Sequence, residues 1–271
     1  MRQIYRKFLK RYGLHEQFKT EMVGDFLVTY EPSTDIGGKL YMGEMFEKDE
    51  LTIASQYIKR DSTILDIGAN IGLHALGFSA MANDGLVIAF EPQPKTFRTL
   101  EKNIIQNGVK NIIPLNLAIA QAPKIAEFYV MADDAYSSLI DTGRKKLTET
   151  IKVLCASVDG VLADVKVDFV KIDVEGLELN VLQSMSDQIQ KHQPVIFCEI
   201  YKGNINSNNP HDTINFLRDF GYKVNRVIDG ALVEFGLDDK HVDQYYNYFF
   251  VHSDKKQATK NSTNTKPLLK Q

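Results

Sequence analysis

Five short apolar runs constrain this chain more than any other feature. They are TILDI (63–67), LVIAF (86–90), NIIPLNL (111–117), VDFVKID (167–173) and PVIFCEI (194–200). Most of their residues are β-branched or aromatic, and apolar and polar positions barely alternate. Such runs suit strands covered on both faces, as in a parallel sheet. Helical spacings separate several of them. Phe97, Leu100 and Ile104 follow i, i+3, i+7, and Leu177, Val181 and Met185 follow i, i+4, i+8. Strands alternating with helices predict an α/β, doubly wound, Rossmann-like fold.

The flanks read differently. Residues 1–20 form a short helix in this reading, with Ile4, Phe8 and Leu9 on one side and Arg2, Arg6, Lys7, Lys10 and Arg11 around it. FLVTY (26–30) and KLYMG (39–43) are two strand-like runs around Pro32, Gly37 and Gly38, which suggests a hairpin. A helix is expected over 48–59. Residues 119–160 break the alternation. There, EFYVM and IKVLCASV are extra strands of an insertion near the sheet edge or the site mouth. YKVNRVI (222–228) and YYNYFFV (245–251) have no helix-length pattern between them and are expected to pair antiparallel. The lysine-, threonine- and asparagine-rich end suits disorder. The chain thus divides into an N-terminal helix-and-hairpin extension (1–42), a main domain (43–252) and a polar tail (253–271).

Composition narrows the function. A net charge of −3 over 271 residues gives no general attraction to a nucleic-acid backbone. No stretch approaches the roughly 18 to 20 apolar residues of a membrane-spanning helix. Cys155 and Cys198 both sit in apolar runs, so they read as reduced core residues in a cytoplasmic protein. A homodimer is compatible with all of this.

The chemistry begins at ILDIGANIG (64–72), where a strand ends, Gly68 and Gly72 bracket a turn, and a helix starts. Glycine lets a ligand approach the backbone, and the helix N-terminus offers free N–H groups. The dinucleotide fingerprint is G-x-G-x-x-G. Here the first glycine position is Asp66, whose charge would repel a pyrophosphate and suit an ammonium or a sulfonium. Glu91 ends the next strand, 19 residues after Gly72. An acid there can accept two hydrogen bonds from a ribose diol. Asp66 and Glu91 together describe a nucleoside carrying an amino acid, which is S-adenosylmethionine.

With these residues in view, the sequence resembles the FkbM family of S-adenosylmethionine-dependent methyltransferases. ILDIGANIGLHAL looks like that family's first motif, VIAFEPQP like its second, and VDFVKIDVEGLELNVL with PVIFCEI like its later ones. The resemblance covers residues 40–252. It implies a seven-stranded methyltransferase sheet with the last strand antiparallel. It also implies O-methylation of a hydroxyl on a sugar, glycolipid or other natural product. By matching positions it implies that Asp66, Gly68, Asn70, Gly72 and Glu91 line the cofactor, with Ala118 counted among them. In GEMFEKDEL, Glu44 takes the place of the family's glutamate before the first helix, and Phe46 stands where a proline is more usual.

A sugar hydroxyl is a weak nucleophile at neutral pH and needs a base or a metal. The stretch KIDVEG offers Lys171 and Asp173 on one strand face and Glu175 at the following helix start. Glu199 is an acid in an otherwise apolar run, which is costly unless paired or useful. His74, one turn into the first helix, is a further candidate base. Asp173, Glu175, Glu199 and His74 are the catalytic candidates. The three acids would also suit Mg²⁺, but no metal is assigned. Ser137, Ser138 and Tyr201 are candidate substrate contacts, and Asp133 and Asp134 read as solvated loop residues. Two other readings stay open. One is ribose 2′-O-methylation of nucleic acid, for which Lys171, Asp173 and Glu199 are reminiscent. The other is a non-catalytic nucleoside-binding protein or an NAD enzyme, which Asp66 opposes.

Overall fold

In a computed structural model, residues 18–44, 47–201, 208–242 and 244–255 are described. A hairpin opens them: β1 (Lys19–Val23) pairs antiparallel with β2 (Phe26–Tyr30). Then come α1 (Asp35–Tyr41), α2 (Lys48–Ala54), β3 (Thr63–Ile67), α3 (Leu73–Met81), β4 (Leu86–Phe90), α4 (Pro94–Gln106) and β5 (Ile112–Leu115). The insertion carries β6 (Ala118–Ile119), β7 (Lys124–Met131) and β8 (Leu147–Ala156). After α5 (Val158–Val161) follow β9 (Phe169–Ile172), α6 (Glu178–Gln183), α7 (Ser186–His192) and β10 (Val195–Glu199). The chain closes with α8 (Pro210–Asp219), β11 (Tyr222–Ile228), β12 (Ala231–Glu234) and β13 (Asn247–His252).

All five apolar runs are strands of one sheet, and neighbouring pairs among them are parallel. The order is β12-β11-β13-β10-β9-β3-β4-β5. β13 lies antiparallel between β10 and β11, the expected reversal of the last strand. Seven strands were expected. The eighth, β12, extends the edge by pairing antiparallel with β11. The chain builds β3, β4 and β5 outward in one direction and β9 and β10 in the other. The strand order therefore reverses beside β3, and open α/β sheets bind ligands at such a point.

The period of two sorts the sheet's side chains onto two layers. Leu65, Ile67, Ile88, Phe90, Val170, Ile172, Ile196 and Cys198 join one core, with Leu182, Ile189, Ile214 and Leu217 from the later helices. Ile64, Val87, Ala89, Phe169 and Phe197 join the other, with Ala75, Phe78, Leu100 and Ile104 of α3 and α4. Asp66, Lys171 and Glu199 take alternate positions on that second face, a consequence that matters below.

The insertion is a separate three-stranded sheet, ordered β6-β8-β7, with its own small core. Ser138 Oγ donates to the Val174 carbonyl at 2.8 Å and ties it to the end of β9.

The N-terminal extension departs from expectation. Of the helix expected over 1–20, residues 1–17 lie outside the described residues, and Lys19 and Thr20 are already strand. FLVTY is a strand, but its partner is the preceding KTEMV. KLYMG is largely helix. Thr34 caps α1, its Oγ1 accepting the Gly37 N–H at 3.0 Å, and Asp35 occupies the first turn. An N-cap of this kind favours a helix over a strand. The outer edge of β2 is satisfied by α4: the Thr29 and Leu27 N–H groups donate to the side chains of Asn103 and Asn107 at 2.7 and 2.8 Å. The polar tail from residue 256 lies outside the described residues.

Candidate functional site

At the C-terminal end of the sheet lies an open cleft of about 610 Å³, part of it shared with open solvent. Gly68, Asn70, Glu91, Ala118, Asp173 and Glu175 all line it. So do Ser137 and Ser138, with Phe90, Leu117 and Phe128 among the apolar walls. Six of the eleven expected site residues therefore meet in one place, from positions as far apart in sequence as 68 and 175.

The turn is held by backbone geometry. Gly68 has φ +80°, and a Cβ added there would sit 1.8 Å from the Asp173 carbonyl oxygen. Only glycine lets the ends of β3 and β9 approach so closely. Asn70 is left-handed at φ +50°, a region asparagine tolerates better than most residues. Its N–H donates to Glu91 Oε2 at 3.0 Å, while the Gln93 N–H donates to Oε1 at 2.8 Å. Burial pushes the Glu91 carboxyl up to about 7, against the pull of those two N–H groups.

At the end of β9, Glu175 is also left-handed, at φ +57°. Burial, then the nearby Asp173 charge, raise its carboxyl to about 8, although Arg144 ion-pairs with it. Glu178, the next acid, accepts the Gly176 N–H at 2.7 Å, and burial lifts it to about 7.

The remaining five expected residues do not line the cleft. Asp66 is fully buried, and it pairs in register with Lys171 on β9. The alternation of β3 turns its carboxylate toward α3, away from the apolar wall that Ile67 gives the cleft. Burial raises its pKa, and Lys171 and His74 oppose the rise. The backbone N–H of Ala75 in α3 also favours the charged form, and Lys171 Nζ is 3.7 Å away. Gly72 has φ +92°, and a Cβ there would lie 2.5 Å from Leu100 Cδ1. Its role is to let α3 pack against α4. Glu44 is exposed. His74 and Glu199 join Asp66 in a second, buried group.

That group is built around one lysine. Lys171 Nζ donates to the Gly68 carbonyl at 3.0 Å and to Asp173 Oδ2 at 3.2 Å. Burial alone would lower its pKa, but the charges of Asp173, Asp66, Glu47 and Glu199 raise it. Glu199 lies well above the carboxylate range because of burial and the charges of Asp173, Glu47 and Glu175. Glu47 closes the group from the start of α2, its Oε2 2.9 Å from His74 Nε2. Burial would raise its pKa, yet His74 and then Lys171 hold it below the ordinary value. Glu47 is the residue the sequence reading missed. Three positions after Glu44, it enters the site by a left-handed backbone at φ +44° that no sequence pattern announces.

Asp133 and Asp134 were expected in solvent. Instead Asp133 is buried and accepts the Asp35 N–H at 2.7 Å. Asp134 lines the cleft, where its Oδ1 accepts from Gln93 Nε2 at 3.2 Å. Among the described residues no group of three or more His, Cys, Asp or Glu side chains forms a metal site. Asp173, Glu175 and Glu199 are spread between the cleft and the lysine group. Both cysteines are buried and free.

The family model described as "Methyltransferase FkbM domain" matches residues 66–224, more than half of the chain. The chain belongs to the FkbM methyltransferase family. The match begins at Asp66 and ends within β11, so Glu47 and the hairpin lie outside it. The chain is 32% identical over 162 residues to hexuronic acid methyltransferase AglP of Haloferax volcanii. That alignment covers 58% of this chain and 63% of AglP, so the chain spans less than two thirds of that relative. It is 26% identical over 191 residues to Methyltransferase 1 of Beauveria bassiana, covering 63% and 76% of the two chains. Among solved structures, methyltransferase FkbM from Methylobacillus flagellatus KT aligns with a TM-score of 0.48 at 15% identity, over 71% of this chain and 44% of that one. No helix among the described residues is long and apolar enough to cross a membrane.

Proposed function

We propose that this FkbM domain transfers a methyl group from S-adenosylmethionine to a hydroxyl oxygen of a sugar-containing small molecule. The observation that carries the reading is Glu91. Its two carboxylate oxygens each take one backbone N–H, from Asn70 and Gln93. Each oxygen keeps a lone pair for a ribose hydroxyl at the mouth of a cleft with apolar walls. Phe90, Leu117 and Phe128 suit the faces of an adenine ring. When bound, S-adenosylmethionine supplies an electrophilic methyl on a positively charged sulfur.

The chain's own groups do the rest. Gly68, Asn70 and Ala118 shape the wall, and the acids Glu91, Asp134, Asp173 and Glu175 give the cleft an acidic lining that suits a sulfonium. Asp173 and Glu175 are the acids that reach the cleft from the β9 end. A carboxyl near 8, as Glu175 has, matches a general base working near neutral pH. Lys171 fixes Asp173 against the Gly68 carbonyl, so turn and base candidates move as one unit. Support for a sugar comes from AglP, whose name describes a methyltransferase for hexuronic acids.

Calorimetric titration with S-adenosylmethionine, S-adenosylhomocysteine and NAD tests the cofactor. Both adenosyl compounds are expected to bind and NAD is not. Glu91→Ala is expected to weaken adenosyl binding at least about tenfold, the loss of one charge-assisted pair. NAD binding without adenosyl binding would refute the reading.

A further inference from the structure

The lining of the cleft contains four carboxylates and no lysine or arginine. Among the cations that reach its lining acids from outside are Lys95, which is shared between Glu31 at 3.1 Å and Asp134 at 3.8 Å, and Arg144. Arg144 extends from the segment before β8 and ion-pairs through Nη1 with Glu175. Its guanidinium lies 4.5 Å from the centre of the Tyr136 ring and 4.2 Å from that of Tyr201. Contacts of this kind hold a guanidinium in place. Among the described residues the pair with Glu175 is its sole side-chain hydrogen bond. The Nε–Nη2 edge, whose fork matches a carboxylate in bidentate geometry, is left over.

A purely structural ion pair would account for one contact, but it needs neither the aromatic clamp nor the spare edge. Glu175 is also an incomplete counter-charge, because burial and Asp173 keep its carboxyl up near 8 in spite of the arginine. Lys145, the neighbouring cation, is engaged with Asp35 at 3.1 Å. The next base-bearing position, Lys171, is committed to Asp66, Asp173 and the Gly68 carbonyl. For an acidic acceptor entering this acid-lined cleft, Arg144 is the cation with a fixed, unshared fork, since Lys95 is already divided between Glu31 and Asp134.

We propose that Arg144, held between Tyr136 and Tyr201, is the subsite for a carboxylate on the acceptor, so that the preferred acceptor is a sugar acid. The inference rests on the methyltransferase reading above and names the substrate class of the same site. The acceptor carboxylate takes the Nε–Nη2 edge, and the hydroxyl to be methylated lies toward Glu175, on the other side of the guanidinium.

The test is calorimetry with methyl glucuronoside and methyl glucoside, titrated into the full chain with and without saturating S-adenosylhomocysteine. The glucuronoside is expected to bind about tenfold or more tightly, the scale of one bidentate charge-assisted pair. In Arg144→Gln that ratio is expected to fall to about one, and in Arg144→Lys to an intermediate value, because a lysine keeps the charge without the fork. Circular dichroism reports whether each variant is folded. Should Arg144→Gln not fold, Tyr201→Leu, which loosens the clamp, is expected to lower the ratio instead. Equal affinity of the parent chain for the two glycosides, or binding of neither, would overturn the proposal. Failure of S-adenosylhomocysteine to bind would instead overturn the cofactor reading, and the cofactor-free titrations would still decide the role of Arg144.

Discussion

The cleft and the lysine-centred group lie side by side at the end of one sheet, yet they are held together by opposite means. On the cleft side, two acids are satisfied by backbone N–H groups: Glu91, which lines the cleft, by Asn70 and Gln93, and Glu178 by Gly176. In the buried group, Glu47, Asp66, His74, Asp173 and Glu199 depend on one another and on Lys171. Backbone donors come with the local fold and stay put whatever the pH. A charge cluster exists only once five elements have packed, and it fails if its one lysine is lost or its acids change protonation.

The strongest way to break both regions at once is Gly68→Ala, because that glycine is where they touch. The added Cβ would overlap the Asp173 carbonyl, and the φ of +80° is unfavourable for alanine. A loss above about 4 kcal/mol, or no folded protein at all, is expected in urea denaturation. Near-parental stability would show that the two strand ends can separate.

Lys171→Met separates the regions. It leaves Asp66 and Asp173 without their cation and is expected to cost about 3–5 kcal/mol at pH 7.5. The cost should be smaller at pH 5.5, because burial favours the neutral forms of Asp66 and Glu199 and a lower pH supports them. An equal loss at both pH values would mean that the lysine acts by packing and not by charge.

The pH dependence of the unmodified chain sharpens the contrast. Glu91 and Glu178 lie near 7 and Glu175 near 8, against an ordinary 4.5. Between these values the folded chain holds protons that the unfolded chain has released. Stability is therefore fullest toward the acid end of that window and falls as pH rises through it. Thermal unfolding without cofactor should show a falling melting temperature from pH 5.5 to 8, with a shallower slope in Glu91→Gln. A rising melting temperature would contradict the assignment.

The smallest effects distinguish two neighbouring glutamates. Glu44→Gln on the exposed loop should stay within about 0.5 kcal/mol. Glu47→Gln should cost about 1–3 kcal/mol, since His74 is buried against it. The reverse ranking would return Glu44 to the site.

Legibility in the sequence followed the same division. The parallel strands came from unalternating apolar runs, whose burial on both faces is written in their composition; the antiparallel last strand came from the family resemblance and from the lack of a helix between YKVNRVI and YYNYFFV. Gly68, Asn70 and Glu91 were legible because turn and strand end sit within one strand–helix–strand unit, so spacing along the chain is nearly spacing in space. Asp66 was visible, but its direction was not read. Counting the period of two back from Ile67 would have turned its side chain to the opposite face of β3. KLYMG looked like a strand because its residues permit one, and the Thr34 cap decided otherwise.

What the sequence determined by itself was the α/β architecture, the glycine turn, the acid at the end of β4 and membership of the FkbM methyltransferases. Each depends on short-range periodicity or on a contiguous motif. What only the tertiary structure decided was which acids share a cleft, and that Glu47 rather than Glu44 completes the buried group. It alone placed Asp66 in that group with Lys171, and Arg144 beside Glu175. Those pairings join residues up to more than a hundred positions apart. Their energies arise from burial and from a low local dielectric, which exist only after the sheet and its two layers have closed.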